Sequence, residues 1–253
     1  MPYIAVSALS HEGLIREQNE DSLVAGPWTL CATVTGNPQT LLFPLGGDPV
    51  LVAVADGLGG HPGGEVASAL VVRRLAAAGP GLGSEEAVRD ALHTCNRAVF
   101  EAAGADPELT TMGTTVAGIV LLPESVITFN VGDSRAYRVT EDGLLRLSVD
   151  DSPPLEPGRR TTSVVTQTLG GSTALTVVRP HVSSSPLNAG DRFLLCSDGL
   201  TDPVPEEELA TVLAAPHEDA ERADARASFE LWKAAIEAGG PDNITLALVR
   251  VRD

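Results

Sequence analysis

Short apolar runs, each ended by turn residues, constrain this chain more than any other feature. They cover Tyr3 to Leu9, Val50 to Ala55, Thr115 to Leu122, Val126 to Val131, Ala136 to Val139, Leu175 to Val182, Arg192 to Cys196 and Ile244 to Val251, and in length and flanks they read as strands. Some neighbours are joined only by Leu122-Pro123-Glu124-Ser125 or Glu141-Asp142-Gly143. A parallel pair needs a crossover of about a dozen residues or more, so these links favour antiparallel pairing. Helical patterns occupy Gly64 to Ala78, Glu85 to Ala103, Pro205 to Leu213 and Asp219 to Ala238. The second opens on Ser84-Glu85-Glu86-Ala87, a capping hydroxyl followed by acids, as a helix N-terminus prefers. Two helix pairs with strands between them point to α+β layers rather than to a doubly wound sheet. Of the 253 residues, 43% are hydrophobic, enough for a sizeable core, and no repeat or linker divides them. The expectation is a single domain over residues 1–253.

Charge narrows the partners. Asp and Glu total 34 against 17 Lys and Arg, a formal net charge of -17. Nucleic acid and anionic membranes are bound through clustered cations, so neither is expected as a partner. No apolar run reaches the roughly 18 residues of a membrane helix, and Met1-Pro2-Tyr3-Ile4 lacks the basic and apolar regions of a signal peptide, which places the protein in the cytoplasm. Cys31, Cys95 and Cys196 are widely spaced and read as buried thiols, not as a disulfide framework or zinc site.

Aspartates stand where apolar runs meet turns: Val54-Ala55-Asp56-Gly57, Cys196-Ser197-Asp198-Gly199, Gly240-Pro241-Asp242-Asn243-Ile244 and Val131-Gly132-Asp133-Ser134-Arg135. Any one of them is an ordinary turn. As a set they bring carboxylates from distant segments to strand ends, where they repel one another unless a cation lies between. Hard divalent ions such as Mg²⁺ and Mn²⁺ take such oxygen ligands. The segment Arg16-Glu17-Gln18-Asn19-Glu20-Asp21-Ser22 adds an acid pair and an arginine, whose fork grips phosphate bidentately. Asp56-Gly57-Leu58-Gly59-Gly60-His61-Pro62-Gly63-Gly64 is glycine-rich but matches neither nucleotide-loop pattern.

Six ordered motifs carry a resemblance: Arg16-x-x-Asn19-Glu20-Asp21, Asp56-Gly57-x-Gly59-Gly60, Thr111-Met112-Gly113-Thr114-Thr115, Gly132-Asp133-Ser134-Arg135, Ser197-Asp198-Gly199 and Asp242-Asn243. From Ser7 to Val251 the chain resembles the bacterial metal-dependent Ser/Thr protein phosphatases of type 2C. The resemblance implies a four-layer α-β-β-α sandwich of two mostly antiparallel sheets flanked by helix pairs. It implies Asp56 as the carboxylate bridging two Mn²⁺ or Mg²⁺ ions, the Gly57 carbonyl as a ligand of one, and Asp198 and Asp242 as ligands of the other. Glu20 and Asp21 would act mostly through water, Asp133 would help Asp198 hold a third ion, and Arg16 would bind the substrate phosphoryl group. Asn243 would support Asp242, and Ser134 and Arg135 would be framework. The implied reaction is hydrolysis of phosphoserine and phosphothreonine on proteins by a water bridging two cations, reversing Ser/Thr kinase action.

The chain departs from the family in places. Leu58 stands where eukaryotic relatives have a histidine, leaving His61 or water as proton donor. The flap around 150–168 is short and proline-rich, with Arg159 and Arg160 as candidate phosphopeptide contacts. Leu23 to Pro49 carries an extra strand, Trp28 to Val34, read as a surface hairpin. Glu206, Glu207, Glu208, Glu218, Asp219 and Glu221 read as a solvated face, and Trp232 and Ile236 as a core stripe. Two other functions remain open on this fold: a catalytically silent module that binds phosphopeptides, disfavoured by the intact Asp56, Asp198 and Asp242, and a phosphatase-type regulator of an anti-sigma-factor antagonist.

Overall fold

A computed structural model describes residues 2–58, 63–154, 161–162, 164–215 and 222–253. In chain order its elements are β1 (Tyr3–His11), β2 (Ser22–Ala25), β3 (Trp28–Cys31), β4 (Gln39–Pro44), β5 (Val50–Ala55), α1 (Gly64–Ala78), α2 (Glu85–Ala105), β6 (Gly113–Thr114), β7 (Val116–Leu121), β8 (Ser125–Val131), β9 (Arg135–Thr140), β10 (Gly143–Arg146), β11 (Leu169–Gly170), β12 (His181–Pro186), β13 (Arg192–Cys196), α3 (Asp198–Thr201), α4 (Glu206–Ala214), α5 (Ala223–Glu237) and β14 (Ile244–Arg252). Two six-stranded sheets form, in the orders β10-β9-β13-β14-β1-β4 and β12-β8-β7-β5-β2-β3, and every pair in them is antiparallel.

The two-residue side-chain period explains why β5 is apolar throughout and β14 is apolar over most of its length. In β5, Val50, Val52 and Val54 face the core between the sheets, while Leu51, Ala53 and Ala55 face the core under α1 and α2. In β14, Ala247, Val249 and Val251 face the inter-sheet core, while Ile244, Leu246 and Leu248 pack under α4 and α5. With both faces covered, β5 has no solvent side to make polar, and β14, apart from the buried Thr245, turns polar only at Arg250 and Arg252, where its burial ends. The order is therefore helix pair, sheet, sheet, helix pair, as the sequence implies. Truncating a fully buried residue such as Leu51 would cost about 2–5 kcal/mol.

Helix α2 begins where expected, the Ser84 hydroxyl accepting from Ala87 N at 3.2 Å. Two expectations are corrected. The run Leu175 to Val182 is not a strand: Leu175 and Val177 are exposed, and pairing with β8 starts only at His181. The paired residues, Ser183 to Ser185, are polar because β12 is an edge strand whose stability comes from its ladder rather than from burial. The extra strand expected at Trp28 to Val34 is present as β3 and does form a hairpin with β2, but the rest of Leu23 to Pro49 leaves it: β4 pairs with β1 in the other sheet, so the segment closes one edge of each sheet. Among the described residues no helix is long and apolar enough to cross a membrane, and the cysteines are free, Cys95 and Cys196 buried and Cys31 partly so.

Candidate functional site

Antiparallel register gathers the aspartate turns at one end of the sandwich. Ala55, the end of β5, lies opposite Ser22, so Asp56 and Asp21 emerge together. Cys196, the end of β13, lies opposite Leu246 near the start of β14, so Asp198 and Asp242 emerge beside each other. Asp133 sits in the turn between β8 and β9 after Gly132, whose φ of 101° suits only glycine.

Each turn is held through its backbone. The Asp56 carbonyl accepts from Thr115 N at 2.9 Å and from the Thr114 hydroxyl at 2.7 Å, and Gly57 bridges to Thr114. That accounts for the Gly113-Thr114-Thr115 part of its motif. A Cβ on Gly57 would stand 2.5 Å from the Gly64 carbonyl and 2.6 Å from that of Glu20, so three segments meet where only glycine fits. Likewise a Cβ on Gly199 would strike the Asn243 carbonyl. The buried Ser197 hydroxyl donates to Asp21 Oδ2 at 2.8 Å, and Thr115 and Ser134 share a 2.7 Å hydroxyl contact under Asp133.

Electrostatics shows what this assembly lacks. Burial, then repulsion from Asp21, Asp198, Asp133 and Asp242, raises the Asp56 pKa well above a normal carboxyl. Asp198, within hydrogen-bonding reach of Asp56, is raised by burial and by Asp242. Asp21 and Asp133 are each pushed up to about 7, mainly by burial. Glu20 is raised by burial and by Glu65 across the start of α1, with Arg16 opposing. Two carboxyls in hydrogen-bonding reach need either a proton or a cation between them, and Asp21 Oδ1 is buried with no partner. An all-oxygen donor set of this kind fits Mg²⁺ or Mn²⁺ better than softer metals. Among the described residues no three or more acids, histidines or cysteines are already grouped closely enough to hold a metal ion by themselves, so ions here would also need water or backbone oxygen as ligands.

Arg16 is the cation at the rim. Its Nη2 lies 2.8 Å from Asp242 Oδ2, both side chains about one-third exposed at 39% and 34%, and this bond with the nearby acids raises its pKa. All the expected site residues described thus far, Arg16, Glu20, Asp21, Asp56, Gly57, Asp133, Asp198 and Asp242, lie at this end. Asn243 does more than support Asp242. Its backbone N–H donates to Asp242 Oδ1 at 2.8 Å, while its buried side chain accepts from Glu20 N at 2.8 Å and donates to the Glu12 and Gln18 carbonyls at 3.0 and 2.9 Å. It clamps the Arg16 loop to β14.

Asp202 escaped sequence reasoning. One turn after Asp198 on the same helical face, it is pushed up to about 7 by burial and by Asp198, and it hydrogen-bonds Thr161. It lines a small cavity with Asp133, Asp198 and Thr162. The spacing Asp198-x-x-x-Asp202 was the available signal. Arg135 is framework as expected, paired with Asp150 at 2.7 Å. Glu207 and Glu208 are exposed as expected, and Glu206, its side chain 43% exposed, also accepts from the Tyr137 hydroxyl at 2.8 Å. At the flap, Asp151 receives Gly132 N, Gln167 and His181 at 2.8–2.9 Å. His61, Gly59, Gly60, Arg159, Arg160, Glu218, Asp219 and Glu221 lie outside the described residues.

Comparison with known proteins gives a consistent result. Residues 41–232 match the family described as Protein phosphatase 2C. The Mycobacterium tuberculosis serine/threonine protein phosphatase PstP is 32% identical over 262 residues, covering 98% of this chain but 45% of that protein, so the chain spans about half the relative's length. A Listeria monocytogenes serine/threonine phosphatase, stp, is 33% identical over 218 residues, covering 79% of this chain and 83% of its own. The PstP catalytic domain, solved in complex with 2 manganese ions, superposes with a TM-score of 0.79 at 30% identity, covering 100% of both chains.

Proposed function

The chain belongs to the protein phosphatase 2C family, and we propose that it is a metal-dependent phosphatase of phosphoserine and phosphothreonine in proteins. The observation that carries this reading is the convergence of Asp56, Asp198 and Asp242 at one sheet end, with Arg16 2.8 Å from Asp242.

In this assignment Asp56 and the Gly57 carbonyl, with Asp198 and Asp242, would hold two Mn²⁺ or Mg²⁺ ions, with Glu20 and Asp21 acting through water. Asp133 and Asp198 would share a third. Such ions would supply Lewis acidity and lower the pKa of a water toward neutrality. The rest falls to the protein. Arg16 presents two parallel N–H donors to phosphoryl oxygens, where charge builds as the ester breaks. Asp242 orients that guanidinium, and Asn243 fixes the loop carrying it, so the fork is in place before substrate arrives. No side chain is required as a nucleophile. Burial raises the Cys196 thiol to about 12, which leaves it inert. On this reading one domain over 1–253 carries the activity, in the cytoplasm, against the products of a Ser/Thr kinase.

The test is hydrolysis of an aryl phosphate and a phosphothreonine peptide with Mn²⁺, with Mg²⁺ and with chelator, beside Asp198→Ala. Turnover that requires metal and collapses in the variant is expected. Metal-loaded protein that folds, binds the ions and turns over neither compound would overturn the reading.

A further inference from the structure

The loop that carries Arg16 also carries two large aliphatic side chains that the fold leaves mostly in water. Leu14 is 60% exposed and Ile15 70% exposed. Scattered exposed aliphatics are ordinary and need no explanation. These two are consecutive, they immediately precede the phosphate-binding arginine, and the backbone beneath them is fixed. Leu14 N donates to the Gly240 carbonyl at 2.8 Å. Gly13 holds a φ of 79°, and a Cβ there would strike the Asp242 carbonyl. The Asn243 side chain ties Glu12 on one side and Gln18 and Glu20 on the other. A segment anchored at both ends thus presents apolar side chains to water beside the site.

Away from Arg16, Leu14 and the partly buried Ile236 both border Gly240. Farther along α5, Trp232 packs its ring 5.2 Å from that of the exposed Phe229. A phosphoryl group on the Arg16 fork brings the flanking residues of its own chain close to Ile15, since adjacent Cα atoms lie only about 3.8 Å apart.

We propose that Leu14 and Ile15 form a docking contact for an apolar side chain flanking the phosphoresidue, so that favoured substrates carry phosphoserine or phosphothreonine beside an aliphatic or aromatic residue. This rests on the phosphatase reading and specifies its substrate class. Because the surface is already rigid, binding gains the burial without paying to order the loop.

The experiment compares two phosphothreonine peptides, one with Leu on both sides of the phosphoresidue and one with Ser, in the Mn²⁺-loaded wild type, Ile15→Ser and Leu14→Ser/Ile15→Ser. The quantity read is the ratio of kcat/KM for the two peptides within each protein, which cancels any general loss of turnover. The wild-type ratio should favour Leu by roughly five- to tenfold, the effect of burying about half of one large aliphatic side chain, and should fall toward one in the double variant. Fluorescence anisotropy with the same peptides reads the contact independently of turnover. Selective binding without hydrolysis would retain the contact and refute the catalytic reading. Hydrolysis and binding of both peptides alike, or a preference that survives in the double variant, would overturn the contact and leave the catalytic reading standing.

Discussion

Replacing Asn243 by alanine should separate substrate positioning from metal binding. The side chain makes three bonds to the Arg16 loop, to Glu12 O, Gln18 O and Glu20 N, at 2.8–3.0 Å, and the residue is only 5% exposed. Each is worth about 1 kcal/mol net, so Asn243→Ala should lose about 3 kcal/mol of unfolding free energy. For a chain of this size that corresponds to a Tm lower by about 6–12 °C. Once released, the Arg16 loop can drift by an ångström or more, a displacement that costs about 100-fold in kcat/KM. Asp242 should be spared, because its bond comes from the backbone N–H of residue 243, which alanine retains. Asn243→Asp keeps the acceptor for Glu20 N–H but loses both donors, so it should not rescue. The assays are urea unfolding, steady-state kinetics on an aryl phosphate, and Mn²⁺ titration by EPR. Turnover unchanged while stability falls would make the clamp purely structural. Mn²⁺ affinity lost in step with turnover would refute the separation.

Other outcomes follow from the buried charges. Asp224 is buried against Arg250 at 2.6 Å, with Arg192 Nε 2.8 Å away though poorly aligned for a hydrogen bond. Burial would raise its pKa, but these arginines and Arg252 outweigh it and hold the carboxyl below its ordinary value. A depressed folded-state pKa means stabilisation that is complete above about pH 4 and is lost as pH falls through the folded value. Asp224→Asn should therefore cost about 3–5 kcal/mol at neutral pH, and its urea midpoint should fall less steeply than wild type across the acid limb. Asp56→Asn has the opposite sign in chelator. Removing one of several crowded carboxylates should stabilise the metal-free protein by about 1–2 kcal/mol, visible as a higher unfolding midpoint. Wild type in Mn²⁺ at one hundred times its Kd should gain about 2.7 kcal/mol, and this gain should vanish in the variant. A variant no more stable in chelator would mean that the cluster is not under repulsion.

The sequence disclosed the strands whose two faces are both covered. β5 is apolar throughout, and β13 and β14 are apolar and buried along most of their length, broken only by Arg192, Thr245, Arg250 and Arg252. It failed where a strand is held by hydrogen bonds rather than by burial: β12 pairs through serines and is tied by Glu85 and Arg89, while the more apolar Leu175 to Val182 stretch mostly lies outside it. It also could not show that β3 and β4, separated by one turn-rich segment, join opposite sheets, because partner choice is set by tertiary packing. At the site, Asp56, Asp198 and Asp242 were legible because each ends or begins a buried strand. The roles of Asp202 and the Asn243 side chain were not. The first needs the short turn of α3 to bring it under Asp198, and the second reaches across 225 and 231 positions of sequence to its partners.

The central claim is that carboxylates from distant segments converge to share divalent ions. Diffraction from crystals grown with Mn²⁺, recorded at the manganese absorption edge, tests it most directly. The account predicts two anomalous peaks in the core site at the sheet end, Asp56 touching both and Asp198 and Asp242 together touching one, with any third peak lying between Asp133 and Asp198. Ions bound elsewhere, or a site that stays free of manganese when the solution holds it in excess, would contradict it.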